Sequence, residues 1–162
     1  FIVKFIVKQE FFMFQMYFLS IILNVLAGLI LLSKKPVEDT TEAPGKKRNL
    51  IEDMNKSLSE NNFFQNKSFA LVIAILALLT GIIKLFCVAK GGIIILGDLL
   101  PALAGITAGF AILLNYYLST ATVATKLPAI IKTIFVDNIS WVGIIACAIA
   151  LLHFIMPGVI FF

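Results

Sequence analysis

The sequence predicts an all-α integral membrane protein, a four-helix transmembrane bundle with a short interfacial amphipathic helix between helices 3 and 4. Three observations carry that expectation. The 162 residues are 60% hydrophobic and 14% charged, against about 45–50% and about 25% in an ordinary soluble domain. The apolar residues are gathered into long blocks, and a bilayer core about 30 Å thick needs roughly 20 of them per helix. The charged residues mostly lie between the blocks, not along one face of each. The expected spans are residues 11–33, 68–88, 98–118 and 139–161, in a single membrane domain covering residues 1–162.

The first block follows a tandem FIVK repeat whose Lys4 and Lys8 are one helical turn apart. Lysines before an apolar run also open a signal peptide. This run is longer than a signal h-region and no small-x-small site follows it, so an uncleaved anchor is expected. Gln15 and Asn24 are its polar interruptions. Residues 34–67 form the one hydrophilic loop. Its first part is rich in Pro, Gly, Thr and mixed charge, the composition of a flexible linker. In its second part Ile51, Met54 and Leu58 recur at i, i+3 and i+7. A short surface helix and a solvated loop fit that stretch equally well, since so short a helix gains little by itself.

The second block begins near Ser68, a candidate cap, and contains Lys84. Sixteen positions separate the two, roughly 24 Å of helix at about 1.5 Å per residue. Lys84 therefore belongs near the far interface, where its ammonium can extend toward headgroups. The third block holds Asp98, the one acid inside a long apolar segment, and the densest run of small residues in the chain. Asp98 suits a helix N-cap, and Pro101 suits the first turn, where a missing N–H costs nothing. This favours a helix starting at Asp98, with residues 93–97 as an extended or re-entrant lead-in, over a longer helix bent at Pro101. Gly105 and Gly109 form a GxxxG pair with Ala104 and Ala108 beside them. Small residues let backbones approach where lipid removes the usual hydrophobic drive. The expected partner face is Ala70, Ala74, Ala77 and Gly81 of the second span, or Gly143, Ala146 and Ala150 of the fourth, with a homodimer also open.

Residues 126–137 are too few to cross a bilayer. Leu127, Ile130, Ile131, Ile134 and Phe135 fall on one helical face there, which predicts the interfacial helix. Asn138 is a candidate cap for the fourth span.

Four spans put loop 34–67 and residues 119–138 on one side. That side carries Lys34, Lys35, Lys46, Lys47, Arg48, Lys56, Lys67, Lys126 and Lys132; the other carries Lys4, Lys8, Lys84 and Lys90. The positive-inside rule makes the first side cytoplasmic and both termini external, in what reads as a bacterial inner (plasma) membrane. Tyr116, Tyr117 and Trp141 lie near the cytoplasmic ends of their spans, as an aromatic belt would.

That topology sets Lys84, Asp98, His153 and Gln15 at similar depth in the outer half of the membrane. An ionisable group in lipid is costly, so an Asp98–Lys84 ion pair or shared polar cavity is expected, with His153 and Gln15 as neighbours. The plainer alternative is a snorkelling Lys84, a capping Asp98 and a buried His153 bonded to a carbonyl. Cys87 and Cys147 lie at different depths and are not expected to bond.

The residues exclude several functions. The single histidine and two separated cysteines offer no metal-site spacing, and no phosphate-loop, dinucleotide, zinc-protease or calcium-loop motif occurs. No nucleophile–base constellation is present, so no catalytic residue and no cofactor is expected. The net charge of +4 is topological and does not form a nucleic-acid face. The expected partners are the lipid bilayer and other membrane subunits or a second copy. The first functional expectation is a non-enzymatic subunit or assembly partner of a larger membrane complex. The alternative is a small ion- or proton-coupled transporter or channel working through the outer polar cluster.

Overall fold

The computed structural model describes residues 2–34, 54, 57–86, 99–122 and 126–156, with only the backbone described for residues 2–13 and for Asn62. The described residues are all-helical and contain no strand. In chain order they form α1 (Ile2–Ser33), α2 (Asn62–Gln65), α3 (Lys67–Phe86), α4 (Leu99–Thr120), α5 (Ala129–Lys132), a π-helical turn (Thr133–Asp137) and α6 (Ile139–Ile155). Three segments are long and apolar enough to cross a membrane: Phe14–Ser33, Lys67–Phe86 and Leu99–Thr120. A fourth is reached if Ala129–Asp137 and Ile139–Ile155 count as one span, although the two meet at a bend of 67°.

The long helices pack as two tight pairs, α3 with α4 and α1 with α6. The pairs then dock through α1 and α4, which share the centre, while α3 and α6 flank them without extensive contact between themselves. The third span expected at the centre therefore shares that place with the first.

Each pair closes over small residues. A Cβ built on Gly109 would stand 2.7 Å from the Ala74 carbonyl oxygen and 3.0 Å from the Leu78 nitrogen. One on Gly105 would stand 3.0 Å from the Ala77 carbonyl, and one on Gly81 2.7 Å from that of Ala102. Of the two partner faces open to Gly105 and Gly109, the second span's is the one they meet, and Ala104 and Ala108 are buried beside them. The α1–α6 pair repeats the device: a Cβ on Gly143 would lie 2.7 Å from the Gly28 carbonyl.

The interior face of α3 inverts the soluble rule. Along α3 the buried face is Ala70, Ile73, Ala74, Ala77, Thr80, Gly81 and Lys84. Val72, Ile75, Leu76, Leu79, Ile82 and Ile83 face outward. In water the larger aliphatic side chains would be buried first; in lipid, small residues pack best between helices and large ones meet acyl chains.

Polar side chains tie the pairs together, one of them between α1 and α4. Asn24, buried in α1, donates from Nδ2 to the Pro101 carbonyl of α4 at 2.9 Å. Its Oδ1 lies where a Gly105 side chain would intrude, 3.0 Å from the ideal Cβ. Asn24→Ala is expected to cost about 1 kcal/mol, in the range of interhelical hydrogen bonds measured within bilayers. Reversible unfolding in mixed detergent micelles would measure it.

The ends are finished differently from expectation. Asn66, not Ser68, caps α3: its Oδ1 accepts from the backbone nitrogens of Ser68 at 3.0 Å and Phe69 at 3.2 Å. Asn138 makes no cap bond to α6; its Nδ2 donates back to the Thr133 carbonyl at 2.8 Å and closes the π turn. At the bend, Asn115 of α4 donates to the Phe135 carbonyl at 3.0 Å and holds the turn against the bundle. The interfacial helix expected at 126–137 is thus a short α turn running into a π turn, with no buried residue and with Ile130 and Ile134 exposed. Of the surface helix considered over residues 49–60, the described residues 54 and 57–59 are helical, and residues 49–53, 55 and 56 lie outside the described residues.

Candidate functional site

α1 runs from one end of the bundle toward the other, and α3 and α6 run back toward its start. Their chain order therefore brings the last turns of α3 and α6 to the first polar positions of α1. Lys84 lies in the last turn of α3, and His153 in the last turn of α6. Both are buried, at 4% and 1% exposure, levels that a lysine seldom reaches without partners.

The Lys84 ammonium nitrogen is 3.0 Å from His153 Nε2 and 3.0 Å from Ser20 Oγ. Ser20, also buried, donates its own proton to the Tyr17 carbonyl at 2.8 Å, so its lone pairs are left to accept from Lys84. Tyr17 donates its hydroxyl to the His153 carbonyl at 2.7 Å. That carbonyl belongs to the final turn of α6, where no intrahelical N–H remains to satisfy it. The Tyr17 ring also stands beside the imidazole, with centroids 4.6 Å apart, and its centroid is 5.8 Å from the Lys84 nitrogen. These four side chains link the two flanking helices, which otherwise barely touch.

The electrostatics follow from the geometry. An ammonium has donors only, so with Lys84 charged His153 Nε2 must accept and the ring is neutral with its proton on Nδ1. Protonating both would set two donors face to face at 3.0 Å. The pair therefore holds one shared positive charge while its hydrogen bond lasts.

Of the expected polar residues, Lys84 and His153 come together. Asp98 lies outside the described residues, as does the lead-in before it; α4 is described from Leu99. Gln15 does not join them: its side chain is exposed on the outer surface of α1. Two positions along a helix turn a side chain by about 200°, which separates Gln15 from Tyr17. The sequence held a signal for the right face. Tyr17, Ser20, Asn24, Gly28 and Leu31 recur at steps of three and four, and all but Tyr17 are buried. Cys87 also lies outside the described residues; Cys147 is a free thiol whose Sγ is 3.8 Å from the Val25 carbonyl. Among the described residues no group of three His, Cys, Asp or Glu side chains is placed to hold a metal.

The fold and this cluster together define an all-helical protein with candidate membrane spans and a buried, protonatable Lys–His pair. The chain belongs to the protein family whose model matches residues 13–153, a match that names no activity. It is also similar to an "Uncharacterized protein" of Treponema pallidum (strain Nichols), 27% identical over 149 residues. That alignment covers 92% of this chain and 99% of the Treponema protein. No solved structure matches.

Proposed function

We propose that the chain crosses a bacterial inner membrane four times and acts as a small ion- or proton-coupled transporter or channel, with Lys84 and His153 binding and releasing the coupling proton. One observation carries the reading: a lysine and a histidine, both buried among apolar helices, sit 3.0 Å apart with Ser20 and Tyr17 ordered around them. Ionisable groups at membrane depth are costly and mark ion or proton pathways. The α3 face, with small residues inside and large aliphatic ones outside, supports lipid as the surrounding solvent. The lysine count on either side supports a cytoplasmic loop 34–67 and external termini.

The test is proton movement in liposomes that hold the purified protein and a lumenal pH dye. Under an imposed pH gradient the expected result is lumenal acidification above that of empty vesicles, lost in Lys84→Met. Folded, inserted protein that moves no protons would overturn the reading, as would a Lys84→Met chain equal to the parent.

A second reading, a non-enzymatic subunit of a larger membrane complex, draws on a different observation. The bent segment Ala129–Asp137 buries none of its own residues and leaves Ile130 74% exposed. A stoichiometric protein retained through mild-detergent purification, and lost in Ile130→Glu, would favour this reading.

A further inference from the structure

The opposite end of the bundle carries a second polar feature. A cavity of about 470 Å³ opens there between the end of α1, the start of α3 and the last turns of α4. Lys34 and Lys67 both line it. Lys34 is one residue beyond the apolar segment Phe14–Ser33, and Lys67 is the first residue of Lys67–Phe86. Both therefore stand at the depth where an apolar helix meets headgroups. Burial, and then the neighbouring Lys67 charge, hold the Lys34 amine below its usual range, and no described carboxylate offsets them.

The remaining polar groups are largely committed. Gln65 donates to the Ser33 carbonyl at 2.9 Å, which satisfies a free acceptor at the end of α1. Ser119 donates to the Tyr116 carbonyl at 2.8 Å. Asn115 spends its amide on Ala111 and Phe135. The cationic groups on the cavity lining are the two ammonium groups of Lys34 and Lys67, with Ser59 and Tyr116 also on the lining, while Ala70 and Ile112 supply apolar wall. Two cations in one half-enclosed pocket repel each other until an anion arrives.

We propose that this cavity binds the phosphate of an anionic phospholipid headgroup, with Lys34 and Lys67 as its cationic ligands. The placement favours lipid over a soluble anion: the two lysines sit at the ends of apolar spans, and the cavity wall is apolar below them. Basic pockets between helices on the cytoplasmic side are where such headgroups bind. The inference rests on the membrane reading above and not on the Lys84–His153 pair, so proton movement and lipid retention can fail separately.

Native mass spectrometry of the full chain, released from nanodiscs of mixed phosphatidylglycerol and phosphatidylcholine, tests it. Phosphatidylglycerol should be retained in preference to phosphatidylcholine. The Lys34→Gln, Lys67→Gln double variant should weaken that retention roughly 30-fold, the scale of removing two interfacial cations. The Lys34→Arg, Lys67→Arg chain should keep it, and Lys132→Gln, exposed outside the cavity, should be unchanged. Matched gel-filtration profiles establish that the variants fold. Equal retention of both lipids, or an unaffected double variant, would overturn the proposal. Displacement by inorganic phosphate, but not by sodium chloride of equal ionic strength, would overturn the lipid assignment in favour of a soluble phosphate site.

Discussion

Gly109→Leu is expected to separate α3 from α4 and to destabilise the bundle strongly. The position has no room for even one added carbon. An ideal Cβ there meets the Ala74 carbonyl oxygen at 2.7 Å, the Leu78 nitrogen at 3.0 Å and the Leu78 Cβ at 3.1 Å. Two of those atoms are helix backbone, which cannot rotate away as a side-chain tip would. Overpacking a tight core by single methylenes already costs about 1–3 kcal/mol. A whole isobutyl group against backbone should cost about 3 kcal/mol or more, because the helices must part along their contact. Thr107→Leu on the exposed side of the same helix is the control, expected within about 0.5 kcal/mol of the parent. Reversible unfolding in mixed micelles measures both. A Gly109→Leu chain as stable as the Thr107→Leu chain would mean that the glycine seam does not hold the pair.

That seam explains what could be read in advance and what could not. The helical class and the positions of the apolar segments follow from block length, because a bilayer demands a fixed number of apolar residues. The small-residue run of α4 was equally visible, since small residues stand out inside a span. Its partner was not: the second and fourth blocks both carry small residues at suitable spacing, and helix order around a bundle is a tertiary choice. Gly28 went unremarked because a single glycine in an apolar run has no pair within its own helix; its pair, Gly143, lies on α6. The caps were misplaced for a local reason. Ser68 and Asn138 are good cap residues by type, but Asn66 lies nearer the helix start and Asn138 is drawn into the π turn before it. In the polar cluster, an amide at Gln15 outweighed two hydroxyl groups on the better face. Tyr17 and Ser20 become legible only when the stripe through Asn24 is followed back along α1.

The Lys84–His153 pair is expected to show opposite outcomes in single and double substitution. In Lys84→Met, His153 and Ser20 each lose a buried hydrogen-bond partner. In His153→Leu, the ammonium loses an acceptor that it met at 3.0 Å, while the Ser20 hydroxyl stays 3.0 Å away. Removing one partner of a buried hydrogen bond leaves the other unsatisfied at about 1–3 kcal/mol, and more for a charged group, while replacing both with apolar groups of similar shape is often nearly neutral. The double variant Lys84→Met, His153→Leu should therefore be more stable than either single variant, with a coupling of about 1–3 kcal/mol. The same three proteins separate structure from function. A pair kept only to hold α3 and α6 against α1 would let the double variant regain both stability and the parent phenotype. A pair that carries a proton would let it regain stability alone, because methionine and leucine fill the space and offer no site for the proton. Unfolding in mixed micelles reads the first quantity and liposome acidification the second. Additive single-variant losses would show that the two side chains act independently despite their distance.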